Sequence, residues 1–359
     1  MTADLSIIRT RLIGLTVLPG WVVLAVATLA FALGASVPLE YQFVPLVASV
    51  VLFGLPHGAV DHLAPTRVRG LTPTARSLAG VGGLYFVVGG LYAGIWFLAP
   101  VIAFALFILI TWLHWGQGEV HSLAALLNLG HLRTPAQRAL TALSRGTLPM
   151  LVPLIAFPEQ YRFVAETIVE LFGATTLGPL TGAFTSDGRL VVGLVVASLL
   201  FGSLALGFVR RTERRDPLVD GGEVALLVVF FLTVPPILAV GLYFTFWHAL
   251  RHIGRLVAID PHSRQALATA RYGAVLARFV RDSAPLTAAS LVFFGLLYLL
   301  VPVTPTDISA LVGVYLVFIA ALTLPHVLVV AWLDHHQAVW TTRPALLTER
   351  SAGEFSQSG

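Results

Sequence analysis

Apolar runs long enough to cross a bilayer follow one another along almost the whole chain, with no polar block longer than about 30 residues between them. In lipid each run has to satisfy its own backbone hydrogen bonds, which a helix does. Hydrophobic residues make up 57% of the 359, charged residues 11%, and the mean hydropathy is +0.86. That balance belongs to an integral membrane protein rather than a soluble one. The length would ordinarily allow two soluble domains, but the continuous recurrence of apolar runs predicts a single all-α membrane domain over 1–359, ending in a polar tail at 334–359. Windows of about 20 residues place spans near 12–37, 43–65, 77–99, 100–123, 138–157, 189–209, 223–252, 285–302 and 309–332. A tenth falls at 160–180, where Glu166 and Glu170 share a helical face and also suit an interfacial or re-entrant helix. The expected architecture is a polytopic bundle of about 8–10 helices.

Cysteine is absent, which excludes disulfides, thiolate ligands and thiol nucleophiles, and leaves His, Asp and Glu as the metal-binding vocabulary. The net charge of +4 is carried without lysine, by arginines expected at span ends as membrane anchors, and offers no basis for nucleic-acid binding. The run from Leu12 to Val37 is too long for a signal-peptide core and is taken as the first span. Pro235-Pro236 removes two backbone donors, so 223–252 is expected as one bent span, and a lateral entrance is sought at the bend. With the N-terminus cytoplasmic, the histidines share one depth only if the tenth crossing is real. That solution leaves Arg210, Arg211, Arg214 and Arg215 on the outer side, against the positive-inside rule.

Histidines punctuate these spans in GLPHGAVDH (54–62), TWLHWGQGEVH (111–121) and FWHALRH (246–252). Imidazole is costly to bury unless paired or bound to a metal, so several of them within spans point to a metal site made by helices. His248 and His252 are four residues apart, a spacing that turns both rings to one face, where two imidazoles can bind one ion. His57 follows Pro56 and lies between Gly54 and Gly58, which admit a close neighbour; Asp61, four residues on, is expected to accept its second ring proton. His62 points about 140° around the helix from His57 and reads as structural. His114 lies between Trp112 and Trp115, with Glu119 following as an outer carboxylate. His326 follows Pro325 in a setting like that of His57 but without a nearby carboxylate, and is assigned to cavity lining or packing. His131 and His262 read as surface residues, and His335 and His336 as tail contacts.

Taken together and in this order, GLPHGAVDH, WLHWGQGE and FWHALRH resemble the Brp/Blh family of membrane-bound beta-carotene dioxygenases, over about residues 50–330. The resemblance implies cleavage of beta-carotene at its central double bond by dioxygen to give two all-trans-retinal molecules, the chromophore of microbial rhodopsins. It also implies ferrous iron held by His57, His114, His248 and His252. Four neutral imidazoles suit that ion and leave two octahedral positions open. A polyene has no polar handle, so shape and apolar lining must place it, and Phe53, Trp112, Trp115, Tyr243, Phe244, Phe246, Trp247 and His326 are the expected lining. A multi-pass protein of the cell membrane with both termini cytoplasmic is expected, its partners being the carotenoid, dioxygen, the bilayer and a functionally linked rhodopsin. Two other readings are a di-iron desaturase or hydroxylase, for which the residues before His335 do not form an HxxHH box, and a non-catalytic carotenoid or ion transporter.

Overall fold

A computed structural model describes residues 2–211 and 213–341, so the expected polar tail lies outside the described residues from 342 onward. Regular structure among the described residues is entirely helical. In chain order the main elements are α1 (Leu5–Ala32), α2 (Leu39–Ala59), α3 (Ala75–Leu98), α4 (Pro100–Leu126), α5 (Pro135–Ala156), α6 (Pro158–Glu170), α7 (Ser186–Val209), α8 (Arg215–Thr233), α9 (236–259), α10 (Tyr272–Leu300) and α11 (Ile308–His336). All but α6, α8 and α9 are both long and apolar enough to cross a membrane. Large apolar side chains such as Phe201 on α7 and Phe293 on α10 point outward, the lipid-facing pattern expected of a spanning helix.

Of the two readings of 160–180, a crossing or an interfacial or re-entrant helix, the element α6 is too short for the crossing. It has 13 residues, about 20 Å of helix against a hydrocarbon core of about 30 Å. A short 3-10 turn, Gly178–Phe184, then leads into α7.

The segment 223–252 departs further from expectation, because it is a hairpin and not a bent span. Val234 and Pro235 are both extended, with ψ of 130° and 139°, since a residue preceding proline is pushed out of the helical region. With two prolines in succession this happens twice, and the chain turns back on itself. Glu223 on α8 and Arg251 on α9, 28 residues apart, meet at 2.6 Å; along one continuing helix they would be about 42 Å apart. The hairpin supplies the extra reversal that the shared depth of the histidines required.

It also removes the conflict over the arginine run. Arg210 donates to the Thr134 hydroxyl and Gly130 N–H to Asp216, so residues 210–216 sit beside the loop that follows α4. Leu129 and Leu132 of that loop share an apolar cluster with Val68, Leu256 and Leu267. The arginine run therefore lies at the end of the bundle where α2, α4 and α9 finish.

Two glycines set the closest helix contact. A Cβ on Gly116 would lie 1.9 Å from the Ala142 carbonyl oxygen, and one on Gly146 would lie 2.0 Å from that of Trp112. No side chain fits at either position, so α4 and α5 pack backbone to backbone. This seam fixes His114 and Glu119 relative to Arg145.

Candidate metal centre

Four elements bring five imidazoles together. His57 comes from the short helical stretch Gly54–Ala59 of α2, His114 from α4, His248 and His252 from α9, and His326 from α11, and all five are buried. His248 sits in a π-helical stretch, Tyr243–Ala249, a wider turn often found at functional sites. Ring centroids lie 5.6 Å apart for His57 and His248, 5.5 Å for His57 and His252, and 5.0 Å for His114 and His248.

The four histidines singled out from sequence thus share one locality, but His326 occupies its middle. Its ring lies 5.1 Å from His57, 4.8 Å from His114 and 5.0 Å from His252. His326 lines the cavity, as expected, and the carboxylate that its sequence setting lacks is supplied from just past α2 by Asp61, whose Oδ2 accepts from His326 Nδ1 at 2.6 Å. The expected Asp61–His57 bond is absent. His57 Nδ1 instead donates to the Phe53 carbonyl at 3.1 Å, one helical turn back, which leaves Nε2 as its lone-pair nitrogen. Asp61 Oδ2 also accepts from the Tyr85 hydroxyl at 2.5 Å, and its Oδ1 lies 3.9 Å from His252 Nε2.

A metal needs donor atoms that no protein group already occupies. Both nitrogens of His114, Nε2 of His252, Nε2 of His326 and Oδ1 of Asp61 are buried without a hydrogen-bond partner. One donor atom each from His57, His248 and His326 falls within 4.8 Å of the others, and so does a second group from Asp61, His252 and His326. Metal–imidazole bonds of about 2 Å place opposite ligands about 4 Å apart, so either group closes on one ion with a small inward adjustment. Buried imidazoles of this kind suit a borderline first-row metal ion.

Glu119 touches none of these rings. It accepts from Trp247 Nε1 at 2.9 Å, from Arg251 at 3.3 Å and from Arg145 at 3.1 Å, and so holds the residues next to His248 and His252. Glu223 accepts from the same two arginines and from Trp21, while Arg145 also binds Asp220, which pairs with His131 at 3.0 Å. His131 is therefore a buried partner rather than a surface residue, and Arg145 and Arg251 lie inside the bundle rather than anchoring its ends. An arginine in the middle of an apolar run was the available signal for this cluster.

One wall of the centre faces an apolar cavity of about 1420 Å³, larger than most small-molecule pockets. His57, His114, His248, His326, Trp115 and Phe244 line it near the centre, and Phe104, Phe107 and Phe318 continue the lining. Trp115, Phe244 and His326 match the expected lining; Phe53, Trp112, Tyr243, Phe246 and Trp247 do not reach the cavity. Trp112 is turned into the α4–α5 seam, donating to Leu143 O, while Trp247 and Tyr243 stack on each other behind the wall. Phe53 and Phe246 pack instead against the apolar cluster at the arginine-rich end. Exposed lining residues identify the mouth: Phe86, Leu91 and Leu98 of α3 on one side, Phe293, Leu296 and Leu300 of α10 on the other. Pro236 lines the cavity but is buried, so the entrance is not at the proline pair.

A sequence profile described as Beta-carotene 15,15'-dioxygenase matches residues 48–334. The chain is 46% identical over 320 residues to a Halobacterium salinarum protein named probable beta-carotene 15,15'-dioxygenase Blh, a match that covers 89% of this chain and 92% of that one. It is 31% identical over 329 residues to the probable beta-carotene 15,15'-dioxygenase Brp of the same species, covering 88% and 90%. A protein of an uncultured marine bacterium named beta-carotene 15,15'-dioxygenase is 23% identical over 207 residues, covering 57% of this chain and 66% of that one. No solved structure matches the chain.

Proposed function

Because this chain belongs to the beta-carotene 15,15'-dioxygenase family, we propose that it cleaves beta-carotene at its central double bond with dioxygen. The central C=C and the O–O bond break, two C=O bonds form, and the products are two molecules of all-trans-retinal, available to a rhodopsin in the same membrane. The observation that carries this reading is the meeting of two unlike features: buried imidazoles with unpartnered nitrogens, and a large apolar cavity against which they stand. A ferrous ion held by His57, His114, His248 and His252 would supply the redox-active position that activates dioxygen.

The rest of the work falls to the chain. An apolar lining binds the polyene by shape, and the distance from the cavity's end to the histidines selects which double bond lies beside them. Trp115 and Phe244, packed against His248, exclude water from that position. A mouth between α3 and α10 opens where lipid-facing side chains lie, which suits a substrate dissolved in the bilayer. The grouping of arginines at one end supports a cytoplasmic location for that end, with both termini there in a cell membrane.

The test is chromatography of membranes from carotene-producing cells that express the chain, with and without an iron chelator. Chelator-sensitive formation of retinal is expected. His248→Ala and His252→Ala should abolish it, and His262→Ala, exposed on the short helix Pro261–Ala268, should not. Unchanged carotene in the presence of folded, iron-loaded protein would overturn the proposal.

A further inference from the structure

We infer that His326 is a fifth imidazole ligand of the metal, oriented for that role by Asp61 and Tyr85; the inference rests on the metal reading above. His326 is the residue common to both groups of donor atoms within 4.8 Å. Its ring is also the hub of the histidine set, within about 5 Å of three others, centroid to centroid.

The hydrogen bonds of His326 determine its tautomer. A carboxylate oxygen is an acceptor, so Asp61 Oδ2 at 2.6 Å fixes the proton on Nδ1, and the lone pair falls on Nε2. Nε2 is buried and has no protein partner. Tyr85 donates to the same Oδ2 at 2.5 Å and keeps the carboxylate turned toward the ring. A histidine that only fills space has no use for this arrangement, in which one nitrogen is anchored by a carboxylate and the other is held dry and free among four more imidazoles. A carboxylate–histidine pair with the distal nitrogen free is the usual support for a metal-binding imidazole.

Asp61 and Tyr85 are positioning residues here, acting through His326. Tyr85 belongs to a π-helical turn of α3, Tyr85–Gly89, so the helix that forms one lip of the cavity mouth is tied to the metal set through a single carboxylate.

The experiment uses the purified full chain in detergent, loaded with Fe(II) without air, and reads metal affinity and the number of coordinated imidazoles by X-ray absorption. Five imidazoles are expected in the parent protein and four in His326→Ala, with affinity reduced more than about 100-fold. Added free imidazole should restore both, which separates loss of a ligand from loss of fold. Asp61→Asn and Tyr85→Phe should keep the count and weaken affinity by about 10- to 100-fold. An unchanged count and affinity in His326→Ala would overturn the inference while leaving a four-histidine centre standing. A parent protein that binds no iron would overturn the metal reading and this inference with it.

Discussion

Arg145 gathers three buried carboxylates from two other helices. It lies fully buried on α5 and donates to Glu119, Glu223 and Asp220. Arg251 joins the first two and lies 3.9 Å over the face of Trp247. Removing Arg145 leaves three buried carboxylates against one guanidinium. Breaking a buried pair in this way costs about 3–5 kcal/mol, more than the pair contributes over an apolar replacement. Arg145→Met should therefore lower the thermal unfolding midpoint in detergent sharply. Arg145→Lys should recover little of it, because a single ammonium cannot reproduce the fork that reaches three acceptors. A midpoint unchanged in Arg145→Met would show that the cluster is not what braces Trp247 and Arg251 beside the histidines.

Among the helices, the α4–α5 seam is the rigid reference from which the site is built. It depends on two glycines at which an added Cβ meets carbonyl oxygens and not yielding side-chain ends. Gly116→Val or Gly146→Val should force the pair apart and yield little monodisperse protein on size-exclusion chromatography. Gly118→Ala is the matched control: its Cβ would meet His248 at 3.6 Å, an ordinary contact, and the fold should survive. Equal yields for Gly116→Val and Gly118→Ala would refute the close-packed seam. The α8–α9 hairpin plays the complementary part, since its reversal at Val234-Pro235 lets Glu223 reach back to Arg251 and turns His248 and His252 toward α2 and α11.

Over the whole molecule, ion pairs tie the arginine-rich end together. Asp260, just past α9, accepts from Arg278 of α10 at 2.5 and 2.8 Å and from Ser263, with Arg67 nearby at 3.5 Å. Burial alone would raise its pKa, but these bonds and charges outweigh burial and hold it at about 2. A carboxylate depressed in the folded state stabilises fully above its unfolded pKa of about 4 and loses that contribution as pH falls toward 2. Unfolding midpoints should fall between about pH 4 and pH 2 in the parent chain and fall less in Asp260→Asn, which starts lower. Parallel pH profiles would contradict the linkage. The class of the protein, most of its helices and the histidine segments were legible in the chain, because run length, apolar content and the four-residue spacing of His248 and His252 are local properties. Asp61's bond to His326 spans 265 residues, and Arg145's bonds to Glu223 and Asp220 span 78 and 75. The mouth of the cavity likewise depends on how α3 and α10 come to stand apart. No periodicity encodes such partners. A proline pair signals a break but not its direction, and a histidine signals a donor but not the carboxylate that will orient it; packing of the whole bundle decides both.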